Sequence, residues 1–167
     1  MVSYRINIVV KEGVIMSDVT SEIRIEGDSE GFVAFECPFC ESEFKLQAGE
    51  FQDEDNVSTE LYCPYCGLVN KISAFYTKDV VEQAKAIAYN YMMDELNKTF
   101  GNMSRNLNRS KFIKVDWKPL SKVNTKELKN KDTVEEIFKC PVCGNHEKVL
   151  YCSGVSKIYC SYCGVDI

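Results

Sequence analysis

Apolar and polar positions alternate along this chain with two different periods, and the change of period marks its organisation. Residues 1 to 76 hold short runs of period two. "YRINIVV" and "SEIRIEG" read as strands, the second with Ile23 and Ile25 on one face and Glu22, Arg24 and Glu26 on the other. Through "GFVAFECP" these strands are expected to extend the sheet that follows. "EFKLQA" sets Phe44, Leu46 and Ala48 on one face and "STELYC" returns, the pattern of a hairpin. "KVLYC" and "SKIYC" do the same around "SGVS". From "TKDVVEQAKAIAYNYMMDELNKTFG" the period becomes helical: Val80, Ala84, Ile87 and Tyr91 form one row, Val81, Ala88, Met92 and Leu96 the next. Thr77 is placed to cap the start, Asp79 and Glu82 fall in the first turn, Lys98 near the last, and Gly101 just beyond. Those signals predict a helix over 77–101. Its stripe suits packing on a neighbouring element, or a helix-mediated dimer.

Cysteine spacing changes the picture most. Eight of the nine cysteines fall into four Cys-x-x-Cys pairs, "CPFC" at 37, "CPYCG" at 63, "CPVCG" at 140 and "CSYCG" at 160. Two intervening residues let both sulfurs of a knuckle turn to one point, and a glycine after the second cysteine lets the backbone fold back beneath a metal. "CPFCE" lacks that glycine, so Glu41 either takes the tight conformation at some cost or the turn differs. Pairing of knuckles by proximity gives two quartets, Cys37, Cys40, Cys63 and Cys66, then Cys140, Cys143, Cys160 and Cys163. Loop-closure entropy alone does not exclude a crossed pairing, which would cost only about 1 kcal/mol more. Four thiolates close a tetrahedral site, the ligand set of structural rather than catalytic zinc, so two zinc ions are expected as clamps. With 167 residues, 45% of them apolar, each ribbon has too thin a core to persist without one.

Cys152 and the single histidine, His146, are left over. Cys152 reads as a small buried hydrophobe beside Leu150, and His146 as a solvated or backbone-bonded imidazole in a turn. No nucleophile stands beside that histidine, so the chain is read as not an enzyme. "MVSYRINIVVKEGVIM" lacks the charged and apolar regions of a secretion signal, and no run reaches the roughly 18 to 20 apolar residues of a membrane span. A reducing, cytoplasmic setting with free thiols is the expectation. Met16 is an alternative natural start to Met1.

The pairs "CPFC...CPYCG" and "CPVCG...CSYCG" resemble tandem zinc ribbons of the transcription factor IIB type, over about residues 32–72 and 138–167. The resemblance implies zinc and a non-catalytic binding role, with no named partner. Asp53, Glu54 and Asp55 precede the second knuckle by about the interval of the acidic tip of transcript-cleavage factors. The basic residue that flanks that tip is missing, so the three are read as a solvated acidic turn.

Charge divides the chain further. Residues 1–96 hold 7 basic and 18 acidic side chains, 97–131 hold 10 and 2, and 132–167 hold 3 and 5, for a net charge of −5. An acidic whole opposes non-specific nucleic-acid binding. Yet Arg105, Arg109, Lys111, Lys114 and Lys118 surround Phe112 and Trp117, a mixture suited to tracking phosphates while rings stack on bases. The competing readings are a linker extended by like charge, with 118–133 its flexible part, and a docking segment for an acidic protein.

The expected architecture is a small, metal-stabilised α+β protein with two zinc β-ribbons joined by an amphipathic helix and a basic segment. Its parts are 1–76 (N-terminal strands and first ribbon), 77–101 (helix), 102–137 (basic linker) and 138–167 (second ribbon). Its expected role is an adaptor contacting nucleic acid or a larger protein assembly, with no membrane and no small-molecule substrate. A rubredoxin-like iron site for electron transfer and a purely structural subunit are the alternatives, because four sulfurs also hold iron.

Overall fold

The computed structural model describes residues 3–10, 19–51, 59–109, 114–150 and 157–167. Two compact units emerge, the first built from 1–7, 22–81 and 127–167, the second from 8–21 and 82–126. Both cysteine quartets fall in the first unit, so the two halves of the metal-binding sequence fold together.

In that unit β3 (Phe32–Glu36), β4 (Glu43–Gln47), β9 (His146–Val149) and β8 (Glu136–Lys139) form one antiparallel sheet in the order β3-β4-β9-β8. β5 (Glu60–Tyr62) pairs with β6 (Val69–Lys71) in a separate two-stranded sheet. The expected hairpin between "EFKLQA" and "STELYC" does not form. β4 instead pairs with β3 across its own knuckle and gives its other edge to β9 of the second quartet. Each knuckle is thus the turn of its own short hairpin, because the Cys-x-x-Cys loop already reverses the chain.

Nor do the N-terminal strands extend this sheet. β1 (Ser3–Val10) and β2 (Val19–Glu26) form a third sheet with β7 (Leu128–Lys129), which runs parallel to β2. Ile23 and Ile25 are buried on one face of β2 while Glu22 and Arg24 are exposed, as the alternation requires.

Aromatic rings fill the core between these pieces. Phe35 stacks on Phe44 at 6.1 Å, Phe44 meets Phe75 edge-on at 5.9 Å, and Tyr4 meets Phe35 edge-on at 6.2 Å. Lys45 and Lys148 face each other across β4 and β9, both almost wholly buried. Their charges are met by Asp28, which lies 2.8 Å from Lys148 and 3.4 Å from Lys45, by Glu30 and Glu135, and by the carbonyl of Lys131. Three residues at the end of 118–133, the part read as flexible, are tied down here: Asn130 bonds Ala34 and Glu26, Asp132 bonds Ser29, and Thr133 accepts from Lys45. A stretch rich in lysine and asparagine is held because its polar groups have partners, among them the buried Lys45.

One short helical turn, α1 (Ala48–Phe51), follows β4, and the second unit contains most of the long helix α2 (Lys78–Leu107). The helix runs six residues beyond the expected stop at Gly101. That glycine is not in the left-handed conformation of a helix cap, and its cost of about 1 kcal/mol in a helix interior is offset by contacts on both sides. Phe100 stacks on Trp117 at 4.9 Å, and Ser104 donates to the carbonyl of Val115. Residues 114–126, read as part of a linker, lie along α2 and are bonded to it from end to end. Val80 is buried and Ala84, Ile87 and Tyr91 are half-buried, whereas Val81, Met92 and Leu96 of the adjoining row are exposed.

Candidate metal centre

Each knuckle repeats one backbone pattern. The first cysteine's N–H donates to a carbonyl five residues on, and the residue after the second cysteine donates back to the first cysteine's carbonyl. Cys37 with Ser42 and Glu41, Cys63 with Leu68 and Gly67, Cys140 with Asn145 and Gly144, and Cys160 with Val165 and Gly164 all conform, at 2.8 to 3.0 Å. That return requires a left-handed residue after the second cysteine. Gly67, Gly144 and Gly164 supply it at φ 70°, 80° and 70°, and Glu41 adopts it at φ 58°. Glu41 therefore takes the strained conformation, at a cost of about 1 to 2 kcal/mol for a residue with a Cβ.

The turns gather the sulfurs as the spacing led one to expect. Cys37, Cys40, Cys63 and Cys66 form one quartet and Cys140, Cys143, Cys160 and Cys163 the other, all four sulfurs of each lying within 4.8 Å of one another. Sulfurs about 2.3 Å from a central ion at the corners of a tetrahedron are about 3.8 Å apart. Observed separations are 3.8 Å for Cys37–Cys66, 3.6 Å for Cys40–Cys63, 3.7 Å for Cys140–Cys163 and 3.5 Å for Cys143–Cys160. These are far too long for disulfides, and all eight thiols are free. The donor set and its spacing fit a four-coordinate metal ion at each site.

Electrostatics within the quartets calls for a cation. Burial pushes the Cys63 and Cys160 thiols well up, despite N–H groups of their own knuckles directed at the sulfurs. At Cys40 burial acts in the same sense but is outweighed by the hydroxyl and backbone of Ser42, bringing that thiol down to about 7. Cys140 also comes down to about 7, where the N–H groups of Cys143 and Val142 outweigh burial. One readily ionised thiol therefore sits beside reluctant ones in each quartet. A divalent ion held by the four sulfurs would remove that penalty, because thiolates rather than thiols are its ligands.

The two centres are joined by an approximate two-fold relation. Lys45 and Lys148, each eight residues after the first cysteine of its quartet, pair with each other across β4 and β9. Tyr62, just before Cys63, donates its N–H to the carbonyl of Ser161, just after Cys160; Tyr159 does the same to Pro64. The rings follow suit: Tyr62 packs on Gly164 and Tyr159 on Gly67. Sequence reasoning missed these tyrosines. The signal was the near-repeat of "LYCPYCG" in "IYCSYCG".

His146 is held by Glu50, whose two carboxylate oxygens lie 2.8 Å from Nδ1 and 2.8 Å from the backbone nitrogen. Its Nδ1 bonds a carboxylate rather than backbone. Among the residues expected to contact nucleic acid, Arg105, Arg109, Lys114 and Lys118 are exposed. Trp117 is half-buried on Phe100, so its ring is not free to stack on a base. Lys111, Phe112, Asp53, Glu54, Asp55 and Cys152 lie outside the described residues. No helix among the described residues is long and apolar enough to cross a membrane. Compared with known proteins, the chain matches no family model, no curated protein and no solved structure.

Proposed function

We propose that this protein is a non-catalytic adaptor, in which two zinc ions clamp a pair of ribbons into one rigid body that presents the rest of the chain to a larger protein assembly. The observation that carries this reading is the closure of both quartets: four sulfurs around each centre at tetrahedral separations leave no coordination position for water or substrate. Cys37, Cys40, Cys63 and Cys66 would hold one ion and Cys140, Cys143, Cys160 and Cys163 the other. A protein partner is favoured over nucleic acid on two grounds. Trp117 and Lys122 are engaged within the chain, by Phe100 and by Asp94 at 2.7 Å. Each tetrathiolate zinc also adds two negative charges to a chain already at −5, for about −9.

Native mass spectrometry and absorption spectroscopy test the clamp. A colourless protein carrying two zinc ions per chain, which loses amide dispersion in the first unit when a strong chelator strips the metal, is expected. A red protein that bleaches on reduction would instead establish iron and electron transfer. A chain that stays folded without metal would remove the clamp altogether.

A further inference from the structure

The bonds between α2 and residues 114–126 obey a fixed register. On the helix, Gln83, Asn90, Asn97 and Ser104 recur every seven residues, which places them on one nearly straight row. Their partners run the other way along the strap. Gln83 accepts from the N–H of Lys126 at 2.9 Å; Asn90 accepts from the N–H of Val123 at 2.8 Å and donates to its carbonyl at 2.9 Å. Asn97 grips Leu120 in the same two-handed way at 2.7 and 3.0 Å. Beyond them, Asn108 grips Val115 at 2.7 and 2.9 Å, and Ser104 donates to the same carbonyl at 2.9 Å.

Seven helical residues rise about 10.5 Å. Three fully extended residues span about 10 to 11 Å. The steps from 126 to 123 to 120 therefore stay in phase with 83, 90 and 97 only because the strap is drawn out nearly straight. Every one of these bonds goes to strap backbone. Two strap side chains add contacts, Trp117 on Phe100 and Lys122 with Asp94, while Leu120 and Val123 are exposed.

We propose that this row on α2 is a receptor for extended polypeptide that reads backbone rather than sequence, that residues 114–126 are its occupant within the chain, and that an extended segment of a partner protein replaces them. Side-chain amides that pair with both N–H and C=O at Leu120 and Val123, and with the N–H at Lys126, are satisfied by any straight segment carrying an N–H at those positions. Main-chain bonding of this sort supplies affinity without a sequence requirement, as when a peptide adds to a sheet edge. The strap is a suitable placeholder because its outer side is solvated and its bonds lie at the surface, where opening costs little. Its departure uncovers Phe100, an apolar anchor for one side chain of the incoming segment. This inference names a partner class for the adaptor reading and rests on it, but its test is independent of the metal.

Trp117 is the only tryptophan, so its emission reports the strap. The metal-loaded full chain would be titrated with a synthetic peptide of residues 114–126 carrying Trp117→Phe. A saturable red shift of the protein's emission is expected as Trp117 leaves Phe100. A peptide of shuffled order, with proline kept away from the in-phase positions, should bind within about threefold. N-methylation of the two amides matching Leu120 and Val123 should weaken binding at least tenfold, and a labelled peptide should lose as much on Asn90→Ala/Asn97→Ala protein. No shift at any concentration would overturn the proposal, as would a shuffled peptide failing as badly as the methylated one. A shift produced by single-stranded oligonucleotide and not by peptide would overturn it too. Metal content measured on the same samples separates this outcome from the fate of the clamp.

Discussion

Gly164 and Gly144 occupy equivalent places in two knuckles of the same quartet, yet alanine should cost very different amounts at each. Both are left-handed, at φ 70° and 80°, so both pay about 1 to 2 kcal/mol for a Cβ in that conformation. Loss of a glycine's freedom in the unfolded chain returns roughly 0.4 to 1 kcal/mol. At Gly144 nothing lies within 4 Å of an added Cβ, so the net cost there should be about 1 kcal/mol. At Gly164 the same atom would lie 2.8 Å from two carbons of the Tyr62 ring, and that ring adjoins Cys63 of the other quartet. Overpacking of this kind adds about 1 to 3 kcal/mol, for a total of roughly 2 to 4. Gly67, with the Tyr159 ring at 3.2 Å, should fall between. Urea unfolding at a fixed concentration of free metal ion, followed by circular dichroism, measures the series without confusing stability with metal supply. In a Tyr62→Ala background the penalty at Gly164 should drop to that at Gly144. Equal penalties at the two glycines in the wild-type background would refute the claim that the two quartets are locked together through these rings.

Other outcomes follow from the same coordinates. Glu41→Gly removes a left-handed Cβ and should stabilise the metal-loaded protein by about 0.5 to 1 kcal/mol in the same assay. Lys148→Met leaves Asp28 buried with Lys45 at 3.4 Å as its remaining cation and should cost about 3 to 5 kcal/mol; a neutral result would show that the buried charges are dispensable. Burial raises the pKa of Glu147 against the hydrogen bond it accepts from the N–H of Ser161, so the folded state keeps that proton to higher pH than the unfolded chain does. Stability should therefore decline as pH rises above 4.5 until the raised pKa is passed, and then level off. Glu147→Gln should abolish that part of the decline and be more stable than wild type at neutral pH. Finally, Asn97→Ala should speed hydrogen exchange at the Leu120 amide and leave amides of the sheet β3-β4-β9-β8 unchanged.

How far the sequence could be read depended on the range of the interaction. The quartets were legible because a Cys-x-x-Cys turn is local: two residues of backbone suffice to aim both sulfurs, and the demand for a left-handed residue after them falls on a single named position. Glu41 stood out for the same reason. The start of α2 was equally local, set by the period of Val80, Ala84, Ile87 and Tyr91 and by acidic residues in the first turn. Its end was not, since Ser104 and Asn108 are held by Val115, and no helix signal near Gly101 carries that information.

Sequence by itself marked eight cysteines as four ligand pairs, each turning its two sulfurs to one point, because ligand chemistry and knuckle geometry are written within a few residues of each sulfur. Only the tertiary structure decided which pairs share a site, that β4 joins β9 rather than β5, that Tyr62 and Tyr159 lock one quartet to the other, and that a lysine-rich stretch lies straight along a helix. Strand edges and exposed amides accept any partner of the right length, so their choice is settled by what the rest of the fold brings within reach.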